Sequence, residues 1–483
     1  MVTFVSFSNI CVLLMKEEYQ KTIMLMVMCL ISIWMGIAIF TNGMFFDGIV
    51  YAAVANNLAH DVGSLWHFQY SPTFNPNYIE QPPLMILIQS WFFRVLGDGV
   101  IVERIYCVLF AGLMLYIIRA LWKEFQPEHA SAFWFPVLLW IIVPIIPWTY
   151  QNNLQEVTMA AFDGLAVLGI LFGCRREKWF WLLIGGAMIF LASFTKGIQG
   201  LFPLAIPFLY WLILRKGTVG EMLIKSLMVI SVPLVLYSLL FLSPDARLFY
   251  QQYFERRLAG SFAGIQNTTS SHFHLLYQLL EDLIIPIGLC SLMWLWLRLK
   301  KEKRLFYDQE ALLFISIGLS ASLPLMVTLE QRKFYLATSI PYFPMGLAVW
   351  TRFIPLGLAS KIEILGWNLK RIRQITIIIL FCLPFGLPFL INISKRERDL
   401  ITDLQLLKSH IPERSILSIP ASMATQWSYH AYFMRYNHLA LDEKNQHAYY
   451  LSEQPADIPP DSCYQQVEWS LKKFRLYHCP EKE

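Results

Sequence analysis

Charge is what this chain has least of. Asp, Glu, Lys and Arg make up 15% of its 483 residues, against about 25% in ordinary soluble domains. Hydrophobic residues reach 56%, the mean hydropathy is +0.47 and the formal net charge is only +5. An ordinary soluble domain is excluded, and so is a strongly basic nucleic-acid binder. The chain has no nucleotide-binding loop, no zinc motif and no internal repeat, so phosphate-loop chemistry and solenoid architectures fall away. Cysteine is sparse. Cys11, Cys29, Cys107, Cys174, Cys290 and Cys382 are scattered along apolar segments or their ends without metal-ligand spacing.

What remains is long apolar runs with charged punctuation. A helix crosses the roughly 30 Å hydrocarbon core in about 20 residues. On that measure the sequence predicts eleven spans, near 22–41, 100–120, 132–149, 157–173, 179–194, 199–214, 222–242, 276–297, 309–328, 335–351 and 374–393. The expected fold class is mainly α, a polytopic helical membrane protein. Segment 83–97, PPLMILIQSWFFRVL, opens on paired prolines and is too short to cross, so it reads as a juxtamembrane helix.

Orientation follows from the positive-inside rule. Lys16 with Lys21, Arg119 with Lys123, the Arg175, Arg176 and Lys178 group, Arg215 with Lys216, the cluster from Arg298 to Arg304, and Lys361 through Arg373 occupy alternate connections. Those connections are expected to be cytoplasmic. The opposite ones hold Asp47, Glu80, Asn152, Asn153, Glu156, Lys196, Arg256, Arg257, Arg332 and Lys333. The odd span count puts the amino terminus inside and the carboxyl terminus outside. Residues 1–15 are apolar but too short to span and lack a small-residue cleavage site, so the first span reads as an uncleaved signal anchor.

Two units are expected, a transmembrane domain over 1–393 with its first outer loop at 42–99, and a soluble extracytoplasmic domain over 394–483. In the second, RERDLITDLQLLKSH reads as helix, and SILSIP and AYYLSE read as strands, giving a small α/β domain. It also holds Cys463 and Cys479, which in an oxidising compartment are either a disulfide or two unrelated thiols.

The first outer loop is the richest in chemistry. Asp47, Asp61 and Glu80 lie where the chain must meet a bilayer surface, and acids held against lipid need a reason. Asp47 precedes the helix-like IVYAAVANNLAH, so it is either a helix-start carboxylate favoured by the dipole or a catalytic acid facing a boundary cavity. Glu80 stands before Gln81, Pro82, Pro83 and Leu84, where two locked φ angles fix the chain. In WTYQNNLQEVTMAAFDG the second site acid is Glu156 or Asp163, and the shallower Glu156 is favoured because ionising it costs less. Lys196 is a snorkelling lysine or a phosphate contact. Arg256, Arg257, Lys333 and Tyr335 add outer-face donors suited to an anionic lipid phosphate, although Tyr335 also suits an aromatic belt. His272 and His274 read as surface histidines, and Asn267-Thr268-Thr269 matches a glycosylation acceptor.

Taken in order, the first-loop Asp before a Tyr-Ala helix, Glu-x-Pro-Pro-Leu, the GDGVIVERIY stretch, Thr-Lys-Gly, and Lys-x-Tyr before a proline-bearing span resemble the GT-C membrane glycosyltransferases. Within them the pattern is similar to the branch of protein O-mannosyltransferases and the lipid A aminoarabinose transferase, over about residues 22–351. The resemblance implies an inverting transferase in the bacterial inner membrane, working on its periplasmic side. The donor would be a sugar on a polyprenyl monophosphate and the acceptor a lipid, glycan or protein, with no cofactor required. It also implies catalytic roles for Asp47 and Glu80; from the residues themselves Glu156 is expected to assist, and Lys196, Arg256, Arg257, Lys333 and Tyr335 to meet the donor phosphate. Gln81 departs from the pattern, since many members carry a phosphate-contacting lysine there. No acidic metal triad is evident. The rival is a transporter or flippase, against which stand the missing repeat and the gathering of acids at one face. A glycan polymerase or ligase and a plain scaffold are further alternatives.

Overall fold

The computed structural model describes residues 7–265, 267–299, 308–351, 368–393, 396–453 and 459–482. The basic connections at 300–304 and 361–367 lie outside the described residues. Among those described, eight helices are long and apolar enough to cross a bilayer, or nine if the bent pair Pro127–Ile141 and Ile145–Gln151 is one broken span. That pair bends by 78°, where Pro144 and Pro147 remove backbone donors.

The count of eleven is not confirmed, and it departs from the structure in two places. Residues 179–214 pass as one apolar stretch, yet the helix Trp179–Lys196 stops at Gly197 and the 3-10 turn Gly197–Ala205 folds back on it. A Cβ on Gly200 would sit 2.5 Å from the Ala192 backbone, so only glycine permits that reversal. The run 335–351 resolves into a 3-10 turn, Lys333–Thr338, and a nine-residue helix, Tyr342–Trp350, too short to cross alone.

The loop after the first membrane helix packs as two helices, Phe46–Ala59 and Leu84–Leu96, with a small hairpin of β1 (Gly63–Ser64) and β2 (His67–Phe68) between them. Phe46–Ala59 is buried over most of its length because its Ala-rich surface lets neighbours close in. At its start a Cβ on Gly48 would lie 1.7 Å from the Asn152 carbonyl oxygen, so the helix touches the 152–153 loop directly. Asn153 closes the contact by donating to the Gly48 carbonyl at 3.3 Å and exchanging amide bonds with Gln89 at 2.8 and 3.2 Å. Asp47 is thereby clamped to the start of the Gln155–Arg176 helix.

The carboxyl-terminal unit is a five-stranded sheet of order β4-β3-β5-β7-β6, with β3 (Ile416–Ser418), β4 (Ala440–Asp442), β5 (Tyr449–Ser452), β6 (Gln465–Gln466) and β7 (Arg475–His478). β3 runs parallel to β4 and β5, and β7 pairs antiparallel with β5 and β6. Helices Arg398–Lys408 and Trp427–Asn437 pack on one another, and Cys463 and Cys479 form a disulfide. The unit is docked on the first loop. Arg435, 1% exposed, grips Glu103, 0% exposed, through Nε at 3.2 Å and Nη2 at 2.8 Å. Tyr432 donates to the Met44 carbonyl and Tyr436 to the Asn42 side chain.

Candidate active site

A cavity of about 460 Å³ opens where the first loop, the Lys196 turn, the 254–258 segment, the 330–335 segment and the carboxyl-terminal unit meet. Asp47, Tyr51, Tyr78, Glu80 and Gln81 form its first-loop wall. Lys196, Arg257, Glu330, Arg332 and Tyr335 face them, and Trp427 reaches in from the carboxyl-terminal unit. A smaller pocket of about 110 Å³ adjoins it. Lys196, Arg257, Gln81, Glu330 and Tyr335 belong to both, while the smaller one is finished by Ile198, Leu258, Pro324, Leu325 and Val327 together with Tyr253, Gln199, Ser261 and Thr328. A larger chamber of mixed lining therefore meets a smaller, more apolar one across a wall bearing two cations.

Lys196 is 6% exposed and makes a short ion pair with Glu156, which is 1% exposed. Its ammonium also stands over the Tyr335 ring at 4.4 Å and the Phe334 ring at 5.5 Å. So buried a cation survives only with such a partner. Gly197, at φ +68°, turns the chain just after it, and a Cβ there would fall 2.6 Å from the Tyr253 hydroxyl. This is the structural reason for glycine in Thr-Lys-Gly.

Arg257 sits on a π-helical turn, Phe254–Leu258, which rotates one side chain out of the regular α register. Its Nη2 meets Glu330 at 2.8 Å and its Nε stands 3.7 Å from Glu80. Glu330 also accepts from Ser261 and, at 3.4 Å, from the Tyr335 hydroxyl. Burial pushes the Asp47 carboxyl up to about 6, with Glu156 adding to the rise and Lys196, Arg332 and Arg257 opposing it. Asp47 is thus poised to exchange a proton near neutrality.

The structure brings Asp47, Glu80, Lys196, Arg257 and Tyr335 to one chamber. Three residues of the sequence reading stand elsewhere. Glu156 lies behind Lys196 and does not line the cavity, so its position is that of a residue holding the lysine. Arg256 is exposed and does not line the cavity, because successive helical residues point about 100° apart. Lys333 is engaged by Glu281 at 3.0 Å and Asp282 at 3.1 Å, away from the chamber. Asp61 points outward to Arg94 at 2.8 Å, and Asp163 is fully buried on the Gln155–Arg176 helix without a hydrogen-bond partner among the described residues. The sequence reading missed Glu330, Arg332 and Trp427 as site residues. For the first two a signal existed in the charge alternation of LEQRKFY; for Trp427 there was none.

The chain is a helical membrane bundle whose acid-bearing first loop stands beside a chamber of carboxylates and cations. Known proteins share this fold, and part of the chain matches a family. Residues 80–245 match the family described as dolichyl-phosphate-mannose-protein mannosyltransferase. ArnT from Cupriavidus metallidurans bound to undecaprenyl phosphate is similar at a TM-score of 0.63 and 13% identity, over 94% of this chain and 97% of that one. Its apo form follows at 0.62 and 12%, with the same coverage. The oligosaccharyltransferase of Archaeoglobus fulgidus is similar at 0.50 and 13%, over 89% of this chain and 68% of that one. Among curated proteins no sequence matches the chain significantly.

Proposed function

We propose that this protein is an inverting glycosyltransferase taking its sugar from a polyprenyl monophosphate carrier. One observation carries the reading: Lys196 and Arg257 stand in the wall shared by the chamber holding Asp47 and a more apolar pocket suited to the first units of a prenyl chain. The carrier phosphate sits between those two cations, with its lipid in the apolar pocket and its sugar facing Asp47. Undecaprenyl phosphate bound to the structurally similar ArnT supports the carrier class.

Transfer then needs little beyond placement and charge. Asp47 takes the proton of the acceptor hydroxyl as that oxygen bonds to the anomeric carbon. The bond from that carbon to the phosphate oxygen breaks with its electron pair, and Lys196 and Arg257 stabilise the departing phosphate. Attack from the face opposite the leaving group inverts the centre. Glu80, loosely held at 3.7 Å from Arg257, is free to turn toward the sugar and support the positive charge that develops there. Where the acceptor is itself a phosphate no base is required, and Asp47 positions it. We propose that a lipid, glycan or protein is the acceptor, that no cofactor is required, and that the chamber and the carboxyl-terminal unit face the periplasm of a bacterial inner membrane.

The test is transfer from a polyprenyl-phosphate sugar by purified protein in vesicles. Asp47→Asn is expected to abolish release of polyprenyl phosphate while inserting normally, and full activity of that variant would overturn the assignment. A transporter reading predicts instead that carrier moves across the bilayer unconsumed, which the same vesicles report.

A further inference from the structure

On the outer surface, away from the chamber, three chain segments converge on one carboxylate. His60 ends the Phe46–Ala59 helix, Asp98 follows the juxtamembrane helix Leu84–Leu96, and His438 caps Trp427–Asn437 of the carboxyl-terminal unit. Nε2 of His60 lies 3.1 Å, and Nε2 of His438 3.4 Å, from the same Asp98 oxygen Oδ2. The three donor atoms all fall within 4.8 Å of one another. Bonds of about 2.0–2.1 Å arranged tetrahedrally set donor atoms roughly 3.3 Å apart, which is the spacing of both histidines from Asp98. We propose that His60, Asp98 and His438 bind a divalent transition metal of the zinc class, with water completing the coordination, and so clasp the carboxyl-terminal unit to the first outer loop.

Two further observations make this a built site and not a chance meeting of side chains. Nδ1 of His60 contacts the Asn56 carbonyl oxygen at 2.9 Å. A proton must lie between them, so in the neutral ring Nε2 keeps its lone pair aimed at the site, the tautomer a metal requires. Asp98 is fixed from behind as well. Arg435, already locked onto Glu103, donates Nη1 to the Asp98 carbonyl and Nη2 to the Gly99 carbonyl, each at 3.0 Å. The second carboxylate oxygen of Asp98 is buried with no hydrogen-bond partner among the described residues. Neutral imidazole and carboxylate donors of this number suit zinc, cobalt or nickel better than calcium or magnesium, which want more oxygens. The side chains are 36%, 37% and 15% exposed, so a metal ion has a path in from solvent. The proposal is independent of the sugar-transfer reading.

The experiment is metal binding to the full chain in detergent, stripped with chelator and titrated with Zn²⁺ against a chromophoric competitor. We expect about one tightly bound Zn²⁺ per chain, a raised unfolding temperature on loading, and tetrahedral Co²⁺ bands on substitution. Either His60→Gln or His438→Asn should weaken binding roughly tenfold or more, and each should lose the thermal shift. Equal affinity in the two variants and the unaltered protein, or no binding by the unaltered protein, overturns the proposal. Should a variant fail to fold, the Co²⁺ spectrum of the unaltered protein still decides: tetrahedral bands with nitrogen donors support the site, and their absence refutes it.

Discussion

Lys196 holds two jobs in this account, and a pair of substitutions separates them. It neutralises a carboxylate that is 1% exposed, and it presents charge to a phosphate. Lys196→Met leaves Glu156 buried without its counterion, beside a second oxygen that already lacks a hydrogen-bond partner among the described residues. Breaking one side of such a pair costs about 3–5 kcal/mol. In Lys196→Met with Glu156→Gln both charges go, and because neutral replacements of buried pairs are close to isoenergetic, most of that loss should return. Transfer should not return, since removing one donor that stabilises developing charge lowers turnover by roughly 10²–10³. Unfolding followed by tryptophan fluorescence measures the first quantity, and release of polyprenyl phosphate measures the second. Should the double variant regain both stability and turnover, Lys196 would be structural only and the phosphate site would lie elsewhere.

Five other outcomes follow from the same geometry. Because burial raises the Asp47 carboxyl to about 6, the base is ionised only above that pH. Turnover should fall as pH drops through about 6, and a flat profile from 5 to 8 would remove Asp47 as base. The sign for stability is opposite: an acid raised from 3.8 to about 6 costs the fold once pH exceeds its unfolded value. Asp47→Asn should therefore be at least as stable as the parent at pH 7. Gly48→Ala places a Cβ 1.7 Å from the Asn152 carbonyl oxygen, and is expected to abolish folded yield in size-exclusion chromatography. Arg435→Leu strands Glu103 at 0% exposure and should destabilise by about 3–5 kcal/mol, visible as early proteolysis of the carboxyl-terminal unit. Replacing Cys463 and Cys479 by Ser opens a loop whose ends are 16 residues apart, at about 3 kcal/mol by loop entropy, read as a lower unfolding midpoint under non-reducing conditions.

The helices were legible because apolar runs of span length report themselves in any hydropathy reading. So were RERDLITDLQLLKSH, SILSIP and AYYLSE, whose periodicity matches the helix Arg398–Lys408 and strands β3 and β5. Residues 179–214 and 335–351 were harder. A 3-10 reversal around Gly197–Gly200 and a nine-residue helix leave no signature that hydropathy separates from a crossing. Within the site, residues tied to local motifs were readable, including Asp47, Glu80 and Lys196. Glu156 was readable as an acid at the membrane edge, but its place behind Lys196 depends on a contact spanning 40 positions. The choice between Arg256 and Arg257 turns on a π-helical turn that no local pattern marks. Trp427 in the chamber and Arg435 on Glu103 come from a docking across more than 300 residues, which no single-sequence pattern encodes.

The most direct test of the central claim is electron cryo-microscopy of the protein with polyprenyl phosphate bound. The account predicts phosphate density between Lys196 and Arg257, with the lipid leaving past Ile198, Leu258 and Val327 and the open side of the phosphate turned toward Asp47. Phosphate bound at any other surface, with the Lys196–Arg257 wall unchanged, would contradict it.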